Sequence, residues 1–139
     1  MSDTMPSILL IEDDEVDVEA IRRLFAWRNI ANPLYVAADG LAALRMLHGE
    51  DQSTIEQPCV ILLDLNLPRM NGIEFLDELR RDAQLKDSVV FVLTTSNRDY
   101  DRLVANSKYV AGYLLKSEAD ADYSQLFRCL RPVLRFSAN

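Results

Sequence analysis

The stretch Cys59-Val60-Ile61-Leu62-Leu63-Asp64 decides the reading of the fold, because five apolar residues in a row are closed by an acid. A strand with one wet face alternates apolar and polar side chains, whereas a strand covered on both faces is apolar throughout. Residues 59–63 therefore read as a central strand of a parallel sheet. An aspartate closing such a strand is desolvated on several sides unless something cationic neutralises it. Asp64 is thus the first residue to which chemistry is assigned.

Working outward, Ile8-Leu9-Leu10-Ile11 and the weaker Leu34-Tyr35-Val36-Ala37 precede this run. Val89-Val90-Phe91-Val92-Leu93 and Gly112-Tyr113-Leu114-Leu115 follow it, making five. Helical periodicity fills the gaps. Val16, Ala20, Ile21, Leu24 and Phe25 predict an amphipathic helix over 15–28, closed by the turn residues Asn32-Pro33. Leu41, Leu44 and Leu47 mark a second helix ending near Gly49, and Ile73, Leu76, Leu79 and Arg80 a third starting after Gly72. Leu103 and Val104 belong to a shorter, more polar fourth helix over about 98–107. The last begins near Asp120 and turns Leu126, Phe127 and Leu130 inward. Pro132, which has no amide donor, bends or ends it, with room for a short continuation through Phe136. Strands alternating with helices define an α/β protein, and the polar segment 49–58 reads as a surface loop rather than a linker. One domain is expected, with a core over about 7–130 and a short extension, 131–139.

Composition narrows the partners. A formal charge of −7 opposes binding to nucleic acid or an anionic membrane, since both require a cationic footprint, and suits a cation ligand better. Cys59 and Cys129 lie far apart among apolar neighbours and read as buried thiols in a reducing cytosol. No apolar run approaches the ~20 residues of a membrane span, and residues 1–6 lack the pattern of a leader. A soluble, cytoplasmic protein is expected.

In an open parallel sheet with right-handed crossovers, every strand delivers its last residue to one edge, where ligands bind at the reversal of strand order. The first run is followed by Glu12-Asp13-Asp14, the third by Asp64, the fourth by Thr94-Thr95 and the fifth by Lys116. Taken singly, Asp14 reads as a helix cap, the threonines as strand formers and Lys116 as a solvated charge. Together they fit one task. Clustered carboxylates call for a hard cation such as Mg²⁺, while a lysine and a hydroxyl opposite would clamp a phosphoryl group. Asp64 would then be the nucleophile that forms an acyl phosphate.

These residues resemble the receiver domain of two-component response regulators from Ile8 to about Leu130. The likeness rests on Leu9-Leu10-Ile11-Glu12-Asp13-Asp14, on Leu62-Leu63-Asp64-Leu65-Asn66-Leu67-Pro68 with Asn71-Gly72, on Val92-Leu93-Thr94-Thr95-Ser96, and on Gly112-Tyr113-Leu114-Leu115-Lys116. The resemblance implies a flavodoxin-like, doubly wound five-stranded parallel sheet of order 2-1-3-4-5 with helices on both faces. It makes Asp64 both the phosphoacceptor and a metal ligand, has Asp13 bind Mg²⁺ directly and Glu12 through water, and takes a further ligand from the Asn66 backbone carbonyl. Thr94 would hydrogen-bond the phosphoryl group, Lys116 would pair with it, and Tyr113 would change rotamer when Thr94 moves. Asn66 and Ser96 stand where the family influences hydrolysis of the acyl phosphate, and Asp14 is a spare acid for capping or tuning. One departure is Ser117, where the family usually has a proline in a cis peptide. A non-proline cis bond costs about 3 kcal/mol, so either the site accepts strain there or the backbone differs.

The resemblance further implies a signalling phosphoacceptor that catalyses its own phosphorylation and dephosphorylation, rather than an enzyme acting on a separate substrate. Its partners would be a sensor histidine kinase and a downstream protein. The Lys116-Ser117 pair, the Leu-Thr-Thr-Ser stretch and the polar loop before Cys59 are similar to stand-alone regulators that include partners of bacterial phytochrome kinases. With the receiver taking up the chain, output is expected from a surface, and the family often dimerises through its helix 4, strand 5 and helix 5. Arg128, Arg131 and Arg135 share one side of the last helix and read first as a solvated face, second as a dimer or docking surface with Phe136 at its edge. Trp27 reads first as a partly buried aromatic and second as a helix-one contact for a kinase, and His48 as exposed and neither metal ligand nor phosphodonor. The alternative from another class is a receiver-like docking module that is never phosphorylated. A phosphatase with an aspartyl nucleophile on its first strand fits less well, since the best nucleophile here closes the third.

Overall fold

The computed structural model describes residues 5–50, 55–96, 98–116 and 123–137. Among the described residues five strands and five α-helices alternate: β1 (Ser7–Ile11), α1 (Glu15–Trp27), β2 (Leu34–Ala37), α2 (Gly40–His48), β3 (Cys59–Leu63), α3 (Gly72–Arg81), β4 (Val89–Thr94), α4 (Asp99–Ser107), β5 (Gly112–Leu115) and α5 (Ser124–Leu130). The strands form one parallel sheet in the order β2-β1-β3-β4-β5. This is the doubly wound, flavodoxin-like arrangement expected.

Alternation along each strand sorts the core into two layers. Leu9, Ile11, Ile61, Leu63, Val90 and Val92 face α2, α3 and α4, where they meet Ala43, Phe75, Leu76, Leu79 and Ala105. Ile8, Leu10, Val60, Leu62, Leu93 and Leu114 face α1 and α5 and meet Val18, Ile21, Leu24, Phe25, Leu126, Phe127 and Leu130. β1 and β3 are buried along their whole length, as a strand covered on both sides must be. Each fully buried large side chain, such as Phe75, stabilises the fold by roughly 1.5–3 kcal/mol.

Local signals set the helix ends. The Asp14 side chain accepts from Val16 N at 2.9 Å and starts α1, as capping by this acid anticipated. Asn71 and Glu74 form a reciprocal capping box on α3. α5 ends at Leu130, and Pro132 sits in a single 3-10 turn, Arg131–Val133. The expected start of this helix near Asp120 lies outside the described residues.

Several side chains depart from expectation. Val16 is 76% exposed and Leu103 70% exposed, because each lies two residues, about 200° of helical rotation, from an inward residue, Val18 or Ala105. Leu41 is also exposed at the first turn of α2. Trp27 is 65% exposed, its ring beneath the Arg28 guanidinium at 4.9 Å rather than in the core. Cys59 is buried but Cys129 is exposed, on the outer side of α5. Arg128, Arg131 and Arg135 do not share a helix face, since the helix stops first. Instead Arg131 stacks over Phe127 and Phe136, and Phe136 makes an antiparallel bridge to Ile30. His48 is exposed as expected and pairs with Asp82 at 3.0 Å.

Candidate functional site

Register brings the chemistry to one edge. Ile11 lies beside Leu63, Leu63 beside Val92, and Thr94 beside Leu115, so the residues that close β1, β3, β4 and β5 are neighbours. β1 and β3 adjoin where the strand order reverses, and the crevice there is the binding position of a doubly wound sheet. Glu12, Asp64 and Thr94 are buried, while Asp13 is exposed at the rim. Carboxylate oxygens of Glu12, Asp13 and Asp64 lie within 4.8 Å of one another.

Asp64 is held from three directions. Its Oδ1 accepts from the Thr94 hydroxyl at 2.8 Å and from Asn66 N at 3.0 Å, and its Oδ2 accepts from Lys116 Nζ at 3.1 Å. The Thr94 oxygen in turn accepts from Leu65 N at 3.4 Å and Ser96 N at 3.3 Å. Thr94 is fully buried, whereas Thr95 is exposed and accepts from the Asn66 side chain at 3.0 Å. Strand alternation therefore separates two adjacent threonines into one that reaches Asp64 and one that does not.

Gly72 explains the Asn71-Gly72 pair. A Cβ there would meet Leu65 Cα at 2.6 Å and the Asp64 carbonyl oxygen at 2.7 Å, both backbone atoms that cannot swing aside. Only a glycine lets α3 begin directly behind Asp64. The same loop is fastened by Arg69, whose guanidinium pairs with the buried Asp39 that caps α2.

Lys116 places its three N–H donors on three carboxylates: Glu12 at 2.6 Å, Asp17 at 2.7 Å and Asp64 at 3.1 Å. Asp17 was not among the expected residues. Its signal was available only as a position one turn after Asp13, on the face of α1 that looks across the edge. The Lys116–Ser117 peptide, where a departure from the family pattern was expected to matter, lies outside the described residues. Tyr113 sits on β5, and its hydroxyl donates to the Ser96 carbonyl at 3.0 Å while Arg102 stacks on its ring at 5.0 Å.

The electrostatics are short of positive charge. The single charge of Lys116 serves three acids, with Asp13 beside them. Burial, helped by the nearby Asp64 charge, pushes the Glu12 carboxyl up to about 7 although Lys116 and the Asp14 amide favour its ionised form. Burial works against the Lys116 ammonium too, but hydrogen bonds to Asp17 and Glu12 and the Asp64 charge outweigh it and hold its pKa above the ordinary lysine value. Glu12 is raised chiefly by burial, and Lys116 by the acids that share its charge. A hard divalent ion that takes oxygen ligands fits this donor set and supplies the missing charge.

Comparison with known proteins supports the same reading. The sequence model of the response regulator receiver domain matches residues 8–128. The chain is similar to the response regulator Rcp1 of Synechocystis sp., at 35% identity over 131 residues, covering 93% of this chain and 86% of that protein. Among solved structures it is similar to the Mn²⁺-bound form of Rcp1, with a TM-score of 0.80 and 31% identity over 96% of this chain and 99% of that one. It is also similar to the phosphorylated cyanobacterial phytochrome response regulator RcpA, with a TM-score of 0.77 and 32% identity over 94% and 91% of the two chains.

Proposed function

The chain belongs to the response regulator receiver family, and from that premise we propose that it accepts a phosphoryl group from a histidine kinase onto Asp64 in a Mg²⁺-dependent reaction. The observation that carries this reading is the surrounding of Asp64: Thr94 and Lys116 hydrogen-bonded to it, with Glu12 and Asp13 within 4.8 Å. An Asp64 carboxylate oxygen attacks phosphorus, an O–P bond forms, and the P–N bond of phosphohistidine breaks with its electron pair passing to the imidazole. Thr94 and Lys116 are the donors aimed at the oxygens on which negative charge accumulates. Bound Mg²⁺ would neutralise carboxylate and phosphoryl oxygens, with Asp13 as direct ligand, Glu12 through water and Asn66 through its backbone carbonyl.

The whole chain is taken as one cytoplasmic receiver that signals by protein contact. Among the described residues no helix is long and apolar enough to cross a membrane, and the charge of −7 disfavours nucleic acid. Tyr113 is the switch residue that follows Thr94. Exposed Tyr100 and Leu103 on α4 supply apolar surface for a downstream partner or a second copy at the α4-β5-α5 face. The likeness to RcpA makes a phytochrome-type kinase the partner of choice.

Intact-mass measurement with Mg²⁺ and acetyl phosphate tests the assignment. Wild type is expected to gain one hydroxylamine-labile phosphoryl group and Asp64→Asn none. An equal gain in both proteins defeats it, and no gain in either favours a docking module that works unphosphorylated.

A further inference from the structure

The Lys116 ammonium has three protons, and the structure directs one to each of three acids, so any oxygen that approaches it competes with a carboxylate already bound. Two of these acids have a place in the proposed chemistry. Glu12 belongs to the acidic cluster, and Asp64 is the nucleophile. The third, Asp17, lies outside that cluster yet holds the lysine at 2.7 Å, closer than Asp64 does at 3.1 Å. The contact is sheltered, with the Lys116 side chain 10% and the Asp17 side chain 27% exposed. Both ends are also well anchored. Asp17 rides on the first turn of α1, started by the Asp14 cap, and Lys116 closes β5.

We infer that Asp17 is a positioning residue for phosphoryl transfer: it draws Lys116 toward α1 and takes up part of its charge, restraining the attraction of the site for a phosphoryl group. This rests on Asp64 being the phosphoacceptor. An anionic donor entering the site meets an ammonium whose charge is divided among Glu12, Asp17 and Asp64. With Asp17 neutral, the same ammonium has one competitor fewer, while the cluster of Glu12, Asp13 and Asp64 keeps all its ligands. The carboxylate that governs access to the lysine thus belongs to helix α1, so a partner that shifts α1 also changes how much of the Lys116 charge the phosphoryl group feels.

The experiment compares wild type, Asp17→Asn, Asp17→Glu and Asp64→Asn in the full chain with Mg²⁺. Two quantities are read: the phosphorylation rate at low acetyl phosphate, in which the donor P–O bond breaks and acetate leaves with the electron pair, and the affinity for beryllofluoride as an equilibrium phosphoryl mimic. Asp17→Asn is expected to raise both by about three- to tenfold, the size of a typical effect of one nearby charge. Asp17→Glu restores the carboxylate and should return both toward wild type, which a role confined to folding would not produce. An adduct on wild type but not on Asp64→Asn, together with an unchanged or slower Asp17→Asn, overturns the role of Asp17 alone. An equal adduct on Asp64→Asn overturns the phosphoacceptor assignment, and the inference with it.

Discussion

At the amino-terminal edge of the sheet, Asn32 and Arg80 are satisfied by backbone groups, whereas at the carboxy-terminal edge Lys116 and its acids are satisfied by one another. Asn32, buried ahead of β2, donates to the carbonyls of Pro6 at 2.8 Å and Val133 at 3.0 Å and accepts from Arg135 N at 2.7 Å. Arg80 donates to the carbonyls of Lys108, Lys86, Ser88 and Tyr109 around the starts of β4 and β5. Backbone carbonyls do not titrate or leave, so these contacts tie loops together and respond to little else. The partners of Lys116 are carboxylates, which can be protonated or bound to a cation. One fold therefore carries a fixed end and a responsive end, and the difference lies in what each polar side chain is paired with.

The sharpest way to break this contrast is to remove single acids from the responsive end. Asp13→Ala is expected to weaken Mg²⁺ binding by about 100-fold or more, beyond the roughly 10- to 100-fold that loss of an outer-shell partner costs. Asp14→Ala, which removes only a helix cap, should change Mg²⁺ affinity by less than about threefold while costing about 1 kcal/mol of stability. Calorimetric titration separates the two, and comparable affinities would overturn the division of roles.

At the fixed end, Asn32→Ala leaves buried carbonyls without donors and should cost about 2–3 kcal/mol in urea unfolding. Mg²⁺ affinity should stay within twofold or so of wild type, since the lost bonds lie at the opposite edge. A parallel loss of metal binding would mean that the two ends are not independent.

Acidity offers a subtler comparison. Glu12 keeps its proton up to about 7 in the folded chain against an ordinary 4.5, chiefly because it is buried. Between those values the folded state binds more protons than the unfolded one, so stability without Mg²⁺ should fall as pH rises through that window and level off above it. Saturating Mg²⁺ favours the ionised form and should flatten or reverse the slope, and Glu12→Gln should abolish it. Urea midpoints from about pH 5 to 7.5 check this, and a Glu12-dependent rise without Mg²⁺ would contradict it.

The smallest expected effect concerns the two thiols. Burial pushes Cys59, at the start of β3, up to about 12, while Cys129 is exposed. Iodoacetamide at mildly alkaline pH should label Cys129 alone in the native protein and both thiols after unfolding. Native labelling of Cys59 would show that the fixed end opens.

The strands and the residues that close them were legible from the chain alone, because a strand covered on both faces must be apolar throughout and its last residue must lie at an edge. Glu12, Asp64, the pair Thr94-Thr95 and Lys116 could be named for that reason, and the family resemblance singled out Thr94. The exposure of Val16, Leu103 and Trp27 was less legible, since an apolar residue on a helix carries no label saying which side of the stripe it occupies. Cys129 misled for the same reason. The expected helix face of three arginines failed because Pro132 ends α5 and sends Phe136 to pair with Ile30, more than a hundred residues away. Local periodicity by itself determined the class of fold, the strands and the edge where the chemistry gathers. Only the tertiary structure decided that Asp17 would reach Lys116 and that Arg69 would fasten its loop to Asp39. Each of these depends on the distance between segments remote in sequence, and packing, not the order of residues along one segment, sets that distance.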